Sequence, residues 1–218
     1  MYWTFGIFTD GVNTQFHKII VDSIKHTSVE EYEIVFITEN KQFTSEEKVL
    51  YIDIDKSMKI SEMNSIKKNF FARNALHENI CMLHDYIALD ANFGKGFDND
   101  WDVCSIPLVL PNGNRWWDWR IHNHPVHGHT LVSYDCPVTP WHFVTGNIFM
   151  VKKSFILKYP MPEKDEGWES PGSEDYEWTR GVRSFWKYKL NKLTVARSLK
   201  DKPIDPIHYK NNCLKIDV

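Results

Sequence analysis

Residues 2–8, Tyr-Trp-Thr-Phe-Gly-Ile-Phe, form an aromatic and β-branched run that stops at Thr9-Asp10-Gly11, and the segments after that turn narrow the possible folds most sharply. Over residues 12–25 the apolar side chains Phe16, Ile19, Ile20 and Ile24 recur at helical spacing, and residues 33–38 form a second short apolar run. Strand, helix and strand in that order make a β-α-β unit, which commits the chain to parallel pairing across a helical crossover. The pattern continues: a strand is expected over 49–54, a helix over 65–79, and a brief buried strand over 80–83, stopped by His84-Asp85. The expected fold is therefore α/β, with a mostly parallel central sheet and helices on both faces. At 218 residues the chain suits one sizeable domain.

From about residue 90 to 140 helical periodicity disappears and Gly, Pro, Asn, Trp and His dominate. Long irregular segments in compact domains usually serve function. Regular structure is expected again as a strand over 147–151, a helix over 174–186 and a strand over 192–196, with an extended polar arm after Asp201. A net charge of −3 leaves no electrostatic footprint for nucleic acid. Cys81, Cys104, Cys136 and Cys213 form no C-x-x-C pair, the first residues lack the features of a signal peptide, and no apolar run approaches a membrane span. These features suggest a cytoplasmic protein, with peripheral contact to a membrane left open.

In open parallel sheets ligands bind beyond the carboxyl ends of the strands. The residues there are Thr9-Asp10, Glu39-Asn40, His84-Asp85-Tyr86 and, opening the last helix, Ser173-Glu174-Asp175. Ser173, following Pro171-Gly172, is suited to an N-cap, which puts both acids in the first helical turn, where the macrodipole favours carboxylates. Acids are also ordinary at such positions without any catalytic role. Arg115-Trp116-Trp117-Asp118-Trp119-Arg120 offers ring faces that can hold a polar ligand, or equally the edge of a core. The run holding His122, His124, His127 and His129 has neither zinc-finger nor H-E-x-x-H spacing and reads better as a polar ligand-contacting loop than as a zinc site.

Taken in order along the chain, these motifs resemble the family 2 type of GT-A glycosyltransferase. Thr9-Asp10 stands where that family has its first polar turn, Glu39 where it has an acid for the nucleobase, and Lys67-Lys68-Asn69-Phe70-Phe71-Ala72-Arg73-Asn74 where it has Lys followed by Ala-Arg-Asn. His84-Asp85 falls where an Asp-x-Asp metal motif is expected, so one carboxylate is replaced or missing, and Glu174-Asp175 matches the acidic pair near the C-terminal third.

The resemblance implies a nucleotide-sugar half over residues 1–90, an acceptor and catalytic half over 91–200 and an extension over 201–218. It implies transfer from a nucleoside diphosphate sugar, a UDP-sugar being favoured, to a hydroxyl of a glycan or glycolipid, with inversion. Asp175 would be the base and Glu174 would bind acceptor hydroxyls. Thr9, Asp10, Glu39, Lys67, Arg73 and His84 would bind the donor, and Trp117, Asp118, Trp119 and Asn147 the acceptor. Asp85 would hold a divalent metal, with manganese favoured over magnesium because imidazole is acceptable to it. Arg73 also has a reading as a solvated helix residue, and Asp85 as a cap. Two other classes stay open: a nucleotidyltransferase, although Thr9-Asp10-Gly11-Val12-Asn13 is not a Gly-rich phosphate loop, and a non-catalytic carbohydrate-binding domain.

Overall fold

A computed structural model describes residues 1–169 and 173–202. Pro171, Gly172, Cys213 and most of the C-terminal arm lie outside the described residues. In chain order the elements are β1 (Tyr2–Phe8), α1 (Thr14–Lys25), β2 (Glu31–Thr38), β3 (Lys48–Tyr51), α2 (Ile60–Asn74), β4 (Asn79–His84), β5 (Ile87–Leu89), β6 (Val103–Ser105), β7 (Leu108–Val109), β8 (Arg120–His124), β9 (Gly128–Leu131), β10 (His142–Phe143), β11 (Ile148–Lys152), α3 (Lys153–Lys158), α4 (Glu174–Val182), β12 (Tyr188–Leu190) and β13 (Ala196–Ser198). A seven-stranded sheet in the order β12-β6-β11-β4-β1-β2-β3 forms the centre, and two three-stranded sheets, β10-β8-β9 and β5-β13-β7, flank it.

Alternating side chains supply both faces of the central sheet. Phe5, Ile7, Cys81, Leu83 and Met150 meet Ile20 and Ile24 of α1 on one side. Phe8, Ile80, Met82, Phe149 and Val151 meet Phe71 and Ala72 of α2 and Trp178 of α4 on the other. Strand β1 lies between β2 and β4, pairing with both in parallel, so the chain reverses its direction of travel across the sheet there. The carboxyl ends of β1 and β4 open a crevice at that switch point.

Several expectations need correction. The sheet is mixed, because β11 runs antiparallel to both β4 and β6, and helices are few. The stretch from 90 to 140 contains short strands, including the β8–β9 hairpin, which two-residue and bulged pairings hide from a search for alternation. Helix α2 starts earlier than expected, where Glu62 accepts the Lys59 N–H at 3.1 Å, and it stops at Asn74 because Ala75 is extended. Helix α4 ends at Val182, and the strand expected over 192–196 forms instead at β13.

Helix α2 can lie against the sheet only because β1 has a glycine at its centre. A Cβ on Gly6 would stand 2.5 Å from the Phe71 ring, which is itself fully buried. Gly6→Ala is expected to destabilise the fold by about 1–3 kcal/mol through overpacking. Gly181→Ala, which meets nothing within 4 Å, serves as the control. Urea unfolding of the two variants checks this: a lowered midpoint for Gly6→Ala alone is the expected result.

Candidate functional site

The cleft opens where β1, β2 and β4 end. One part, of about 720 Å³, is lined by Asp10, Glu39, Asn40, Asp53 and Met63 among others. An adjoining part, of about 360 Å³, shares Asp10, Glu39 and Met63 with it and continues past Thr9, Lys67, His84, Asp85 and Lys200. Glu39, half-buried after β2, pairs with Lys67 of α2 at 2.5 Å, whereas the Asp10 side chain stays exposed and accepts the Val12 N–H.

Asp85 is 4 % exposed. Its Oδ2 accepts the Thr9 hydroxyl at 2.6 Å and its Oδ1 accepts the Asn13 amide at 2.9 Å, with the His17 ring 3.8 Å away. Burial works to raise the pKa of this carboxyl, but the interactions with His17, Thr9 and Asn13 outweigh it and hold the group below the usual range. Asn13 stands at the N-cap of α1 yet makes no cap hydrogen bond, since its side chain is given to Asp85. His84 stacks on Tyr86 at 5.4 Å, and its pKa is pushed down to about 4 by burial and by Lys68, Lys202 and Lys67 nearby. At neutral pH the ring is uncharged.

These residues do not fit a divalent cation. Mn²⁺ and Mg²⁺ need several oxygen donors, whereas Asp85 is a single carboxylate with both oxygens already accepting hydrogen bonds. Among the described residues no cluster of acidic, His or Cys side chains has the make-up of a metal site.

The acidic pair lies across β11. Glu174 is buried and accepts from the Lys68 ammonium at 2.9 Å, Lys68 being 2 % exposed. Asp175 Oδ2 accepts from Arg120 at 3.0 Å and from the Gly146 N–H at 2.8 Å, while Oδ1 accepts the Tyr176 N–H at 2.9 Å. A Cβ on Gly146 would come within 3.3 Å of Lys68 Nζ, 3.4 Å of Asp175 Oδ2 and 3.6 Å of Glu174 Oε1, so the glycine lies where the two ion pairs meet. Ser173 does occupy the N-cap of α4 but makes no side-chain cap hydrogen bond. Arg120 lies 3.8 Å from the centre of the Phe143 ring and 5.2 Å from that of Trp117, and burial lowers its pKa to about 10.

Asn147 bridges the two halves. Its carbonyl accepts the His84 N–H at 3.1 Å and its side-chain oxygen accepts the Tyr86 hydroxyl at 2.8 Å. Trp117, half-buried with a left-handed φ of 43°, stands beside Arg120 and His129.

Three expected site residues lie elsewhere. Asp118 is fully buried and accepts from Arg115, Tyr134 and the backbone N–H groups of Leu108 and Trp119, so it fastens the turn into β8 and presents nothing to an acceptor. Trp119 is buried against His142 and Tyr188. Arg73 is exposed in the last turn of α2, at the end where the chain turns back toward β4, about 9 Å along the helix from Lys67 and away from the cleft.

Sequence pattern alone did not single out Lys68, Arg120, Asn13 and His17. Lys68 carried a signal, for Ser61, Ser65, Lys68 and Ala72 share one helical face, and all are buried. The other three become site residues only through contacts between segments far apart in sequence.

The sequence matches no protein-family model and no curated protein. Solved structures do match. Residues 1–349 of S. aureus TarS in complex with UDP align with a TM-score of 0.62 and 12% identity, over 90% of this chain and 60% of that one. The complex with UDP-GlcNAc gives 0.59 and 11%, over 93% and 60%. The chain therefore spans about three fifths of the structures it resembles. At this identity the likeness shows the fold alone, which is that of the TarS structures.

The buried pair between α2 and α4 yields a direct test. Lys68→Met leaves the Glu174 carboxylate buried without its partner, and a loss of about 3–5 kcal/mol is expected. Lys68→Met combined with Glu174→Met should recover much of that loss in urea unfolding. Additive losses would mean that the two side chains do not depend on each other.

Proposed function

We propose that the chain transfers a sugar from a nucleoside diphosphate sugar, a UDP-sugar, to a hydroxyl of a glycan or glycoconjugate with inversion at the anomeric carbon. The observation that carries this reading is the meeting of two sites at one turn. The cleft at the sheet's switch point is lined by His84 and Tyr86, both of which hydrogen-bond Asn147, and an acidic pair on a helix N-terminus reaches the adjacent Gly146. The likeness of the fold to TarS structures holding UDP and UDP-GlcNAc supports a nucleotide-sugar donor.

On this reading the nucleoside lies in the larger part of the cleft against Asp10 and Glu39, and the diphosphate lies near Thr9, Lys67 and His84. Asp175 takes the proton of the acceptor hydroxyl as the oxygen attacks the anomeric carbon and the bond to the diphosphate breaks. Arg120 and the Gly146 N–H fix its Oδ2, and Oδ1 keeps a lone pair for the hydroxyl, since a carboxylate offers four acceptor sites. Glu174, fixed by Lys68, sits where it can orient the acceptor, and Trp117 offers a ring face beside Arg120.

Asp175→Asn keeps the shape and removes the proton acceptor. Its kcat should fall by roughly a hundred- to ten-thousandfold while UDP affinity scarcely changes. Glu39→Ala should raise the donor KM more than it lowers kcat. Steady-state kinetics over a panel of UDP-sugars separates the two, and near-normal turnover by Asp175→Asn would remove it as the base.

A further inference from the structure

The rim of the cleft carries charge that the mechanism above does not use. Leu199 donates its N–H to the Tyr86 carbonyl at 2.7 Å. The Ser198 hydroxyl donates to the Lys200 carbonyl at 2.7 Å and accepts the Lys200 N–H at 3.2 Å. The chain leaving β13 is thereby led over Tyr86 at the mouth of the cleft. There the Lys202 ammonium lies 4.1 Å, and the Lys200 ammonium 5.3 Å, from the centre of the Tyr86 ring, which stacks on His84.

Lys67 and Lys68 are each matched by a carboxylate, Glu39 and Glu174 respectively. Among the described residues Lys200 and Lys202 make no ion pair. Each lies over the Tyr86 ring, Lys202 is drawn also by the Asp85 charge, and the two ammonium groups repel one another. Burial and Lys200 together hold Lys202 below the ordinary lysine range. An anion between them would relieve the repulsion. Beside them, just after β1 and β4, the Asp85 carboxylate already accepts hydrogen bonds on both oxygens, from Thr9 and Asn13.

Resting on the glycosyltransferase reading, we propose that Lys200 and Lys202 hold the donor's diphosphate where a divalent cation would otherwise stand, so that donor binding is independent of metal. The nucleotide sugar carries one negative charge on each phosphate, which two ammonium groups match. The same groups offset the further charge that appears on the diphosphate as its bond to the sugar breaks. A lysine strap also differs from a metal in being flexible, point-charged and held by the chain's own backbone.

Calorimetric titration of the full chain with UDP and with uridine, in EDTA and in Mn²⁺, tests this. UDP is expected to bind in EDTA with a Kd within about twofold of that in Mn²⁺ and well below that of uridine. Lys200→Ala combined with Lys202→Ala should weaken UDP on the order of ten- to a hundredfold, the loss expected for hydrogen bonds between charged groups. Uridine affinity should be unchanged in that variant, which also shows that it is folded, and Lys200→Arg with Lys202→Arg should retain most UDP affinity. UDP binding that appears only with Mn²⁺, wild-type UDP affinity in the alanine variant, or an equal loss of uridine would each overturn the proposal while leaving the transferase reading in place. If the wild type binds neither UDP nor uridine in either condition, the transferase reading fails with it.

Discussion

The buried pair between Lys68 and Glu174 ties together the two halves of the cleft. Neither charge can be left alone out of water, so α2, which lines the cleft through Lys67, and α4, which packs on the same face of the sheet and carries the acidic pair, are held in one arrangement. The contact forms because β11 runs against its neighbours. A reversed strand begins at the edge where β1 and β4 finish, so Gly146 and Asn147 arrive among the carboxyl ends of the parallel strands. Asp175 then finds both Arg120 and the Gly146 N–H within reach, and Tyr86 finds Asn147. Gly6 belongs to the same device, because α2 could not come close enough to the sheet over a larger residue.

Much of the first half was legible because its strands are apolar runs and α1 has an amphipathic face. Thr9, Glu39, Lys67 and His84 follow or face parallel strands, and the structure places them around one cleft. The reversal of β11 was not legible, since a five-residue apolar run reads the same in either direction. Arg120 was hidden for another reason. It lies in a Trp-rich segment where one residue faces the site and its neighbours Asp118 and Trp119 turn into the core, a division set by contacts with Leu108, Tyr134 and Tyr188 that no local pattern reveals. Arg73 was misplaced because a motif fixes order and not the side of a helix: five residues separate it from Lys68, and that spacing carries it to the exposed side.

The departure at His84-Asp85 has a physical reading in its surroundings. Asp85 is spent on Thr9 and Asn13, at the expense of a cap on α1, so this carboxylate organises the turn after β1. His84, kept neutral by burial and three lysines, lies in a field that favours anions. On the proposed reading, the positive charge that faces a nucleotide diphosphate comes from the segment after β13, where Lys200 and Lys202 lie over Tyr86.

Glycosyl transfer at this cleft requires that it activate the bond between a sugar and a diphosphate. Slow hydrolysis of UDP-sugars without acceptor, followed by proton and phosphorus NMR, measures that directly. UDP and free sugar should appear together, and the sugar released from an α-linked donor should be the β anomer before it mutarotates. Release of UMP with a sugar phosphate, or no cleavage of any nucleotide sugar, would contradict it.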